Sequence, residues 1–262
     1  MPQAIRVEDL TLSFRHHPAV HRLHCEFPAG SLTAVVGPNG AGKSSLLQAL
    51  AGLLRPTGGS VTPPRIGSAA VAYLPQQAHA DRGFPLRVLD VVMLGHWPQL
   101  GLFQGASAVH KQQARAALEA VRLVGFENRL IAELSVGQFQ RVLFARLMLQ
   151  DAALILLDEP FAAIDSRTTA DLLAVVARWH TEQRTVIVAL HDLAQVRAHF
   201  PSTLLIARER IAHGPTAQVL SPEHLERARR MAECWDESAP RCRDEHVAFA
   251  AAQATPQSRL AA

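Results

Sequence analysis

The chain has 262 residues, 48% of them hydrophobic, which is enough for one large buried core; its apolar runs, such as those at residues 154–157, 186–190 and 204–207, fall far short of the roughly 18–20 residues that cross a bilayer. The net charge of +3 is modest and the basic residues are spread along the chain, which argues against a nucleic-acid partner. An odd set of cysteines (Cys25, Cys234, Cys242) and a start without a charged-then-apolar leader argue against a secreted disulfide scaffold, and predict a cytosolic chain unless a partner holds it at a membrane.

In chain order, residues 5–14 and 21–27 read as strands and suggest an antiparallel beginning. Residues 32–36 form an apolar run that ends at a glycine-rich loop. Residues 43–54 fit a helix, closed by the stop-and-turn signal of Arg55, Pro56, Thr57, Gly58 and Gly59. Residues 69–74 read as a strand stopped by Pro75. From about 77 to 150 the pattern is mainly helical, with helices predicted at 86–95, 106–124 and 137–150. Trp97 with Pro98, and residues 101–105, separate them. Strands return at 154–158, 185–190 and 203–207. A helix at 168–179 lies between the first two and carries Leu172, Val175, Val176 and Trp179 on one face. Residues 236–262, rich in Ala, Gln, Ser and Pro, read as a mobile tail. Strands alternating with helices predict an α/β fold.

Gly37, Pro38, Asn39, Gly40, Ala41, Gly42, Lys43 and Ser44 satisfy G-x-x-x-x-G-K-S/T between a predicted strand and a predicted helix. In that setting glycines let the backbone wrap phosphates, and the helix N-terminus points N–H groups at them. Lys43 would reach the β- and γ-phosphates, and the Ser44 hydroxyl would ligate Mg²⁺. Lys111 is the only other lysine in an arginine-rich chain, so a lysine at 43 is itself informative. The buried run 154–157 ends in Asp158 and Glu159. Carboxyl ends of parallel strands face the ligand crevice. There Asp158 can hold Mg²⁺ through water and Glu159 can polarise the water that attacks a γ-phosphate. A plain glycine turn and solvated loop acids are the alternatives for each motif alone; together they point to a nucleoside triphosphatase.

Leu134, Ser135, Val136, Gly137 and Gln138 choose among such families. They resemble the L-S-G-G-Q signature of ABC ATPases, and Gln138 lies 20 residues before Asp158, as in that family. Ser135 and Gln138 also form a capping box that starts a helix. The two readings are compatible, because a helix N-terminus presenting Ser135 and amide groups suits a γ-phosphate, here one bound by a second copy. The resemblance spans about residues 3–225 and rests on six motifs in order. It implies that Gln76, after Pro75, senses Mg²⁺ and couples to the membrane partner, with Gln77 a competing candidate. It implies that Ala162, Ala163, Ile164 and Asp165 form the loop through which paired subunits communicate, and that His191 contacts the γ-phosphate. Phe14 resembles the aromatic on which adenine stacks, and could equally be a strand core residue. The implied catalytic set is Lys43, Gln76, Glu159 and His191. The implied nucleotide contacts are Phe14, the loop through Ser44 and Ser45, Ser135, Gly137, Gln138, Asp158 and Asp165. Ser44, Gln76 and Asp158 are the implied Mg²⁺ contacts.

The fold implied is α/β: a P-loop NTPase (RecA-like) core with an N-terminal antiparallel β subdomain and an inserted helical signature subdomain at about 77–150. This domain would span 1–235, ahead of the tail. The function implied is ATP hydrolysis that drives transport by a head-to-tail pair of copies. Permease subunits would hold that pair at the cytoplasmic face of a bacterial inner membrane. A periplasmic or surface substrate-binding protein would act indirectly. The rivals are a soluble ABC ATPase acting on DNA or ribosomes, which no basic patch or second cassette supports, and a non-catalytic scaffold, against which Glu159 and His191 speak. Residues 84–96 resemble the segment after the glutamine loop in ATPases of zinc and manganese uptake systems. Residues 156–165, 190–193 and 213–216 lean the same way, with zinc ahead of manganese and an iron complex as a further alternative. Cys234, Cys242 and His246 match no tight zinc spacing, so no metal site of the chain's own is expected there.

Val136 stands where the family usually has glycine, yet Ser135 and Gly137 remain. ATP turnover is therefore expected in the parent chain, at a rate comparable with Val136→Gly in a steady-state phosphate-release assay. A dead parent rescued by glycine would show the signature to be degenerate.

Overall fold

The computed structural model describes residues 4–14, 17–62, 71–76, 83–100 and 105–233, apart from the side chains of Phe14, His17 and Gln99. Ile5–Phe14 (β1) and His17–Phe27 (β2) form an antiparallel pair. Leu32–Val36 (β3) leads through the glycine-rich loop into Lys43–Leu50 (α1). Gly58–Thr62 (β4) returns to the other side of β1, making a sheet of order β2-β1-β4. Val71–Leu74 (β5) opens a second sheet. A helical stretch follows: Val88–Met93 (α2), a 3₁₀ turn at Leu94–His96, Trp97–Leu100 (α3), Ala108–Ala120 (α4) and Val136–Gln150 (α5). Then come Leu154–Asp158 (β6), Ser166–Thr181 (α6), Thr185–Ala189 (β7), Leu193–His199 (α7), Ser202–Ala207 (β8) and Glu209–Pro215 (β9). Thr216–Val219 (α8) and Pro222–Glu233 (α9) complete the described chain. The second sheet runs β5-β6-β7-β3-β8-β9 and is parallel except for β9.

The short apolar runs of the sequence are the central strands of this sheet, buried on both faces as parallel strands must be. Their period of two sorts residues between two cores. Leu154, Leu156, Ile187 and Ile206 pack with α1 and the antiparallel sheet. Ile155, Leu157, Val186 and Val188 pack with the helical stretch and α6. The helix α1 is thus held between the two sheets, so the loop that precedes it has a fixed position. Register places the strand ends together: Leu74 lies opposite Leu157, Asp158 opposite Ala189, and Val35 opposite Ala189.

Several boundaries differ from the sequence expectation. The first helix stops at Leu50 rather than residue 54, and Gly52 follows in a left-handed turn (φ 72°). The stop signal at 55–59 overlaps the start of β4, whose Gly59 adopts φ 73° and lets the strand meet β1. Trp97 and Pro98 do not separate helices; they begin α3, where a missing N–H costs no helical hydrogen bond. His96 is buried, its ring 4.7 Å from that of His110.

Arg141 fastens the helical stretch to the core. It is buried, and its guanidinium donates to the Val121 carbonyl (2.9 Å), to the Thr168 hydroxyl (3.2 Å) and to the Asp171 carboxylate (2.7 Å). These groups lie at the end of α4 and along α6. Removing the guanidinium leaves the buried Val121 carbonyl without its donor and the Asp171 carboxylate with only the exposed Arg122 as ion-pair partner. Arg141→Ala is therefore expected to cost about 3 kcal/mol in urea unfolding, and a loss under about 1 kcal/mol would show that the helices hold by apolar packing alone.

Candidate functional site

The loop between β3 and α1 is wedged between the two sheets. Gly42 caps α1 with φ 93°, and a Cβ there would lie 2.4 Å from the Ala19 carbonyl oxygen. A Cβ on Gly37 would lie 2.0 Å from the Ile206 carbonyl oxygen. Both positions need glycine, one for its backbone and both for space. Lys43, at the first turn of α1, is only 6% exposed and curls back over the loop. Its ammonium donates to the Gly37 carbonyl (2.9 Å) and the Pro38 carbonyl (3.1 Å). Burial pulls its pKa below the ordinary lysine range, against the opposing pull of Glu159 and Asp158.

Asp158, the last residue of β6, is 2% exposed. The Ser44 hydroxyl lies beside its carboxylate and favours the charged form, while Oδ1 is buried with no hydrogen-bond partner. Burial raises its pKa above the usual carboxylate range; the Ser44 hydroxyl opposes that. An orphaned carboxylate oxygen beside a hydroxyl is an oxygen-donor set that fits a hard cation such as Mg²⁺. Tyr73 on β5 flanks this carboxylate, and burial and the Asp158 charge raise the pKa of its phenol. The sequence offers no signal for Tyr73, because its nearness to Asp158 arises only from β5–β6 pairing.

Glu159 turns the chain out of β6 in the left-handed region (φ 46°), its N–H bonded to the Ala189 carbonyl (3.1 Å). This bend carries its side chain sideways, where the Gln76 amide donates to Oε2 (2.9 Å). His191, beyond β7, approaches the same oxygen at 4.0 Å, too far for a hydrogen bond. Asn39, Gly40, Ala41, Gly42, Lys43, Ser44 and Ser45 line a cleft of about 600 Å³ together with Gln76, Glu159, His191 and Ala19. Four strand ends and one helix start thus converge on one cavity. Ala19 was not foreseen from the sequence.

Other expected residues lie elsewhere. Ser135 caps α5: its hydroxyl accepts from the Gln138 N–H (3.2 Å) and its own N–H donates to the Gln138 side chain (3.0 Å). Asp165 caps α6 by accepting from the Thr168 N–H (2.8 Å) and hydroxyl (2.7 Å), which hold its carboxyl below the usual range. Neither Ser135, Gly137, Gln138 nor Asp165 lines the cleft. They lie close to one another: a Cβ on Gly137 would meet Thr168 at 3.4 Å and Asp165 at 3.6 Å. Val136 points outward, 49% exposed. Gln140, one turn into α5, donates to the Pro160 carbonyl (2.8 Å) and so ties the start of this helix to the turn after Glu159. Phe14 ends β1 opposite His17, but its side chain, like Gln77, Cys234, Cys242 and His246, lies outside the described residues. Among the described residues no group of three or more His, Cys, Asp or Glu could hold a metal ion.

The buried carboxylate makes a testable demand. Asp158→Asn removes a charge that burial disfavours, so the nucleotide-free protein should gain about 1 kcal/mol, roughly 2–4 °C in thermal unfolding. The gain should shrink as pH falls towards the raised value, because the parent then takes up the proton itself. Addition of Mg-ATP should raise the melting temperature of the parent more than that of the variant. An unchanged or lower nucleotide-free melting temperature would contradict this reading.

Residues 20–162 match the family model described as ABC transporter. The chain is similar to the manganese transport system ATP-binding protein MntB of Listeria monocytogenes, with 38% identity over 226 residues, 85% of this chain and 94% of that protein. It is similar to the zinc transport system ATP-binding protein TroB of Treponema pallidum, with 38% identity over 229 residues, 86% of each. Among solved structures it resembles an inward-facing ABC transporter assigned to the metal-chelate type (TM-score 0.77, 29% identity, 87% of this chain and 89% of that chain). The chain belongs to the ABC transporter family, as one of its ATPases.

Proposed function

We propose that this chain is the Mg-ATP-driven motor of a divalent-metal importer, with zinc as the first cargo to test. The observation that carries the reading is the single cleft in which the loop bearing Lys43 and Ser44 faces Gln76, Glu159 and His191. In it the loop amides and the Lys43 ammonium, released from its own loop carbonyls, bind the triphosphate. Ser44 and Asp158 would hold Mg²⁺, with the Gln76 amide, now bonded to Glu159, within the same cleft. The cation, when bound, would supply charge neutralisation for the phosphates. Glu159 takes one proton from the attacking water, whose oxygen bonds to the γ-phosphorus as the bond to the ADP oxygen breaks; the other proton leaves on the phosphate, and Glu159 returns its own to solvent. His191 steadies the γ-phosphate oxygens.

The site is incomplete in one copy. Ser135, Gly137 and Gln138 head a helix whose first N–H groups have no intrahelical acceptor, and they lie outside the cleft. A second copy in head-to-tail arrangement supplies them to the γ-phosphate, with Asp165 beside them. No described helix is long and apolar enough to cross a membrane. In this reading permease subunits carry the cargo and hold the motor at the cytoplasmic face. A substrate-binding protein delivers the metal to them. Zinc is favoured by the resemblance of residues 84–96; the relatives are named for manganese and for zinc alike.

Glu159→Gln keeps the side chain's size and an oxygen that can accept from Gln76, but cannot take the water proton. It is expected to lower turnover by about 100- to 10,000-fold while Mg-ATP binding persists. In a strain lacking this gene, uptake of radiolabelled zinc should fall and be restored by the parent chain but not by Glu159→Gln. Unchanged zinc uptake would sink the cargo assignment, and a loss confined to manganese would transfer it.

A further inference from the structure

Arg208 lies in the turn between β8 and β9 with φ 64°, a left-handed position where glycine, asparagine or aspartate is the usual occupant. Its N–H donates to the Ala41 carbonyl (3.0 Å), and its own carbonyl accepts from the His21 N–H (2.8 Å). Its guanidinium donates to the Pro18 carbonyl (2.9 Å). One residue of the β8–β9 turn therefore holds both the phosphate loop and β2 of the other sheet. Between its anchor points on β2 stands Ala19, which lines the cleft and whose carbonyl leaves no room for a side chain on Gly42. The neighbouring His21–Glu209 contact (3.0 Å) fastens the same strand, but Glu209 is half exposed and this tie is the weaker one.

An ATP whose γ-phosphate lies by Gln76, Glu159 and His191 must extend its ribose and base away from those strand ends. Of the residues that line the cleft, Ala19 is the one on the antiparallel sheet, which carries none of the γ-phosphate residues, so the base end is assigned to that wall. We propose that Arg208 is a positioning residue for the ribose and base of the nucleotide. It sets the spacing between the β2 wall and the phosphate loop. Its charged bond to Pro18 offsets a left-handed backbone conformation that is unfavourable for arginine. The proposal rests on the reading of the cleft as a Mg-ATP site. It separates two parts of that site: phosphates held by the loop, and the base end held by a strand that Arg208 anchors.

Titration calorimetry of the full chain with Mg-ATP and with Mg-tripolyphosphate tests this. Arg208→Gly relaxes the turn and removes the side chain, so it is the variant that keeps the fold; thermal unfolding without ligand checks that. It is expected to weaken Mg-ATP by about tenfold and to leave tripolyphosphate affinity unchanged. Arg208→Lys should recover part of the ATP affinity. In turnover, KM for ATP should rise while kcat stays. An equal loss for both ligands, or no loss for either, would overturn the role of Arg208. A parent chain that binds neither ligand, or a Lys43→Ala chain that binds both as tightly as the parent, would instead overturn the nucleotide reading of the cleft and this inference with it.

Discussion

Two buried charges, Lys43 and Asp158, are the constraint on which the rest of the structure depends. Each is less than a tenth exposed, at the end of a sheet whose central strands are apolar on both faces. A buried charge costs several kcal/mol unless partners replace its water. Lys43 finds two loop carbonyls; Asp158 finds Ser44 on one side and nothing for Oδ1. Both pKa shifts run towards the neutral forms. The apolar packing on either side of the sheet must sustain this arrangement. A ligand that brings phosphate oxygens to Lys43 and a cation to Asp158 removes the penalty on both at once. The cleft is therefore preorganised for charge that arrives with the ligand.

The remaining site residues follow from where the strands stop. Registers that align Asp158 with Ala189 and Leu74 with Leu157 place Gln76, Glu159 and His191 along one edge. The Gln76–Glu159 bond holds the acid aside from the loop in this state. The start of α5 is pinned from behind, by Gln140 on Pro160 and Arg141 on Asp171. Ser135 is thus carried at a fixed offset from Glu159 while lying outside its own cleft. Such rigidity suits a surface presented to another copy and not one that folds back.

The sequence made the chemistry legible wherever spacing along the chain decides it. The strands Leu32–Val36 and Leu154–Asp158 have the bounds that their apolar runs predict, and the glycine loop lies between strand and helix as its pattern requires. The capping box at Ser135 forms as read. What stayed hidden depends on pairing between distant segments. Tyr73 meets Asp158 only through sheet register, and Arg208 reaches Pro18 across 190 positions. The strand Gly58–Thr62 was concealed by two glycines that read as a turn, although one of them serves a strand that must approach β1 closely. Pro98 read as a break because a proline signal does not tell a helix stop from a first turn. The cargo is the least legible feature of all, since a transporter's ATPase subunit binds nucleotide and does not touch the cargo.

The central claim is that the cleft is one half of a site completed by the Ser135 end of a second copy. Sedimentation of the Glu159→Gln chain with saturating Mg-ATP tests it most directly, alongside the same chain also carrying Ser135→Arg. The account predicts a nucleotide-dependent dimer for the first, and for the second a monomer that still binds Mg-ATP. A chain that stays monomeric at saturating Mg-ATP, or a dimer that Ser135→Arg leaves intact, would contradict it.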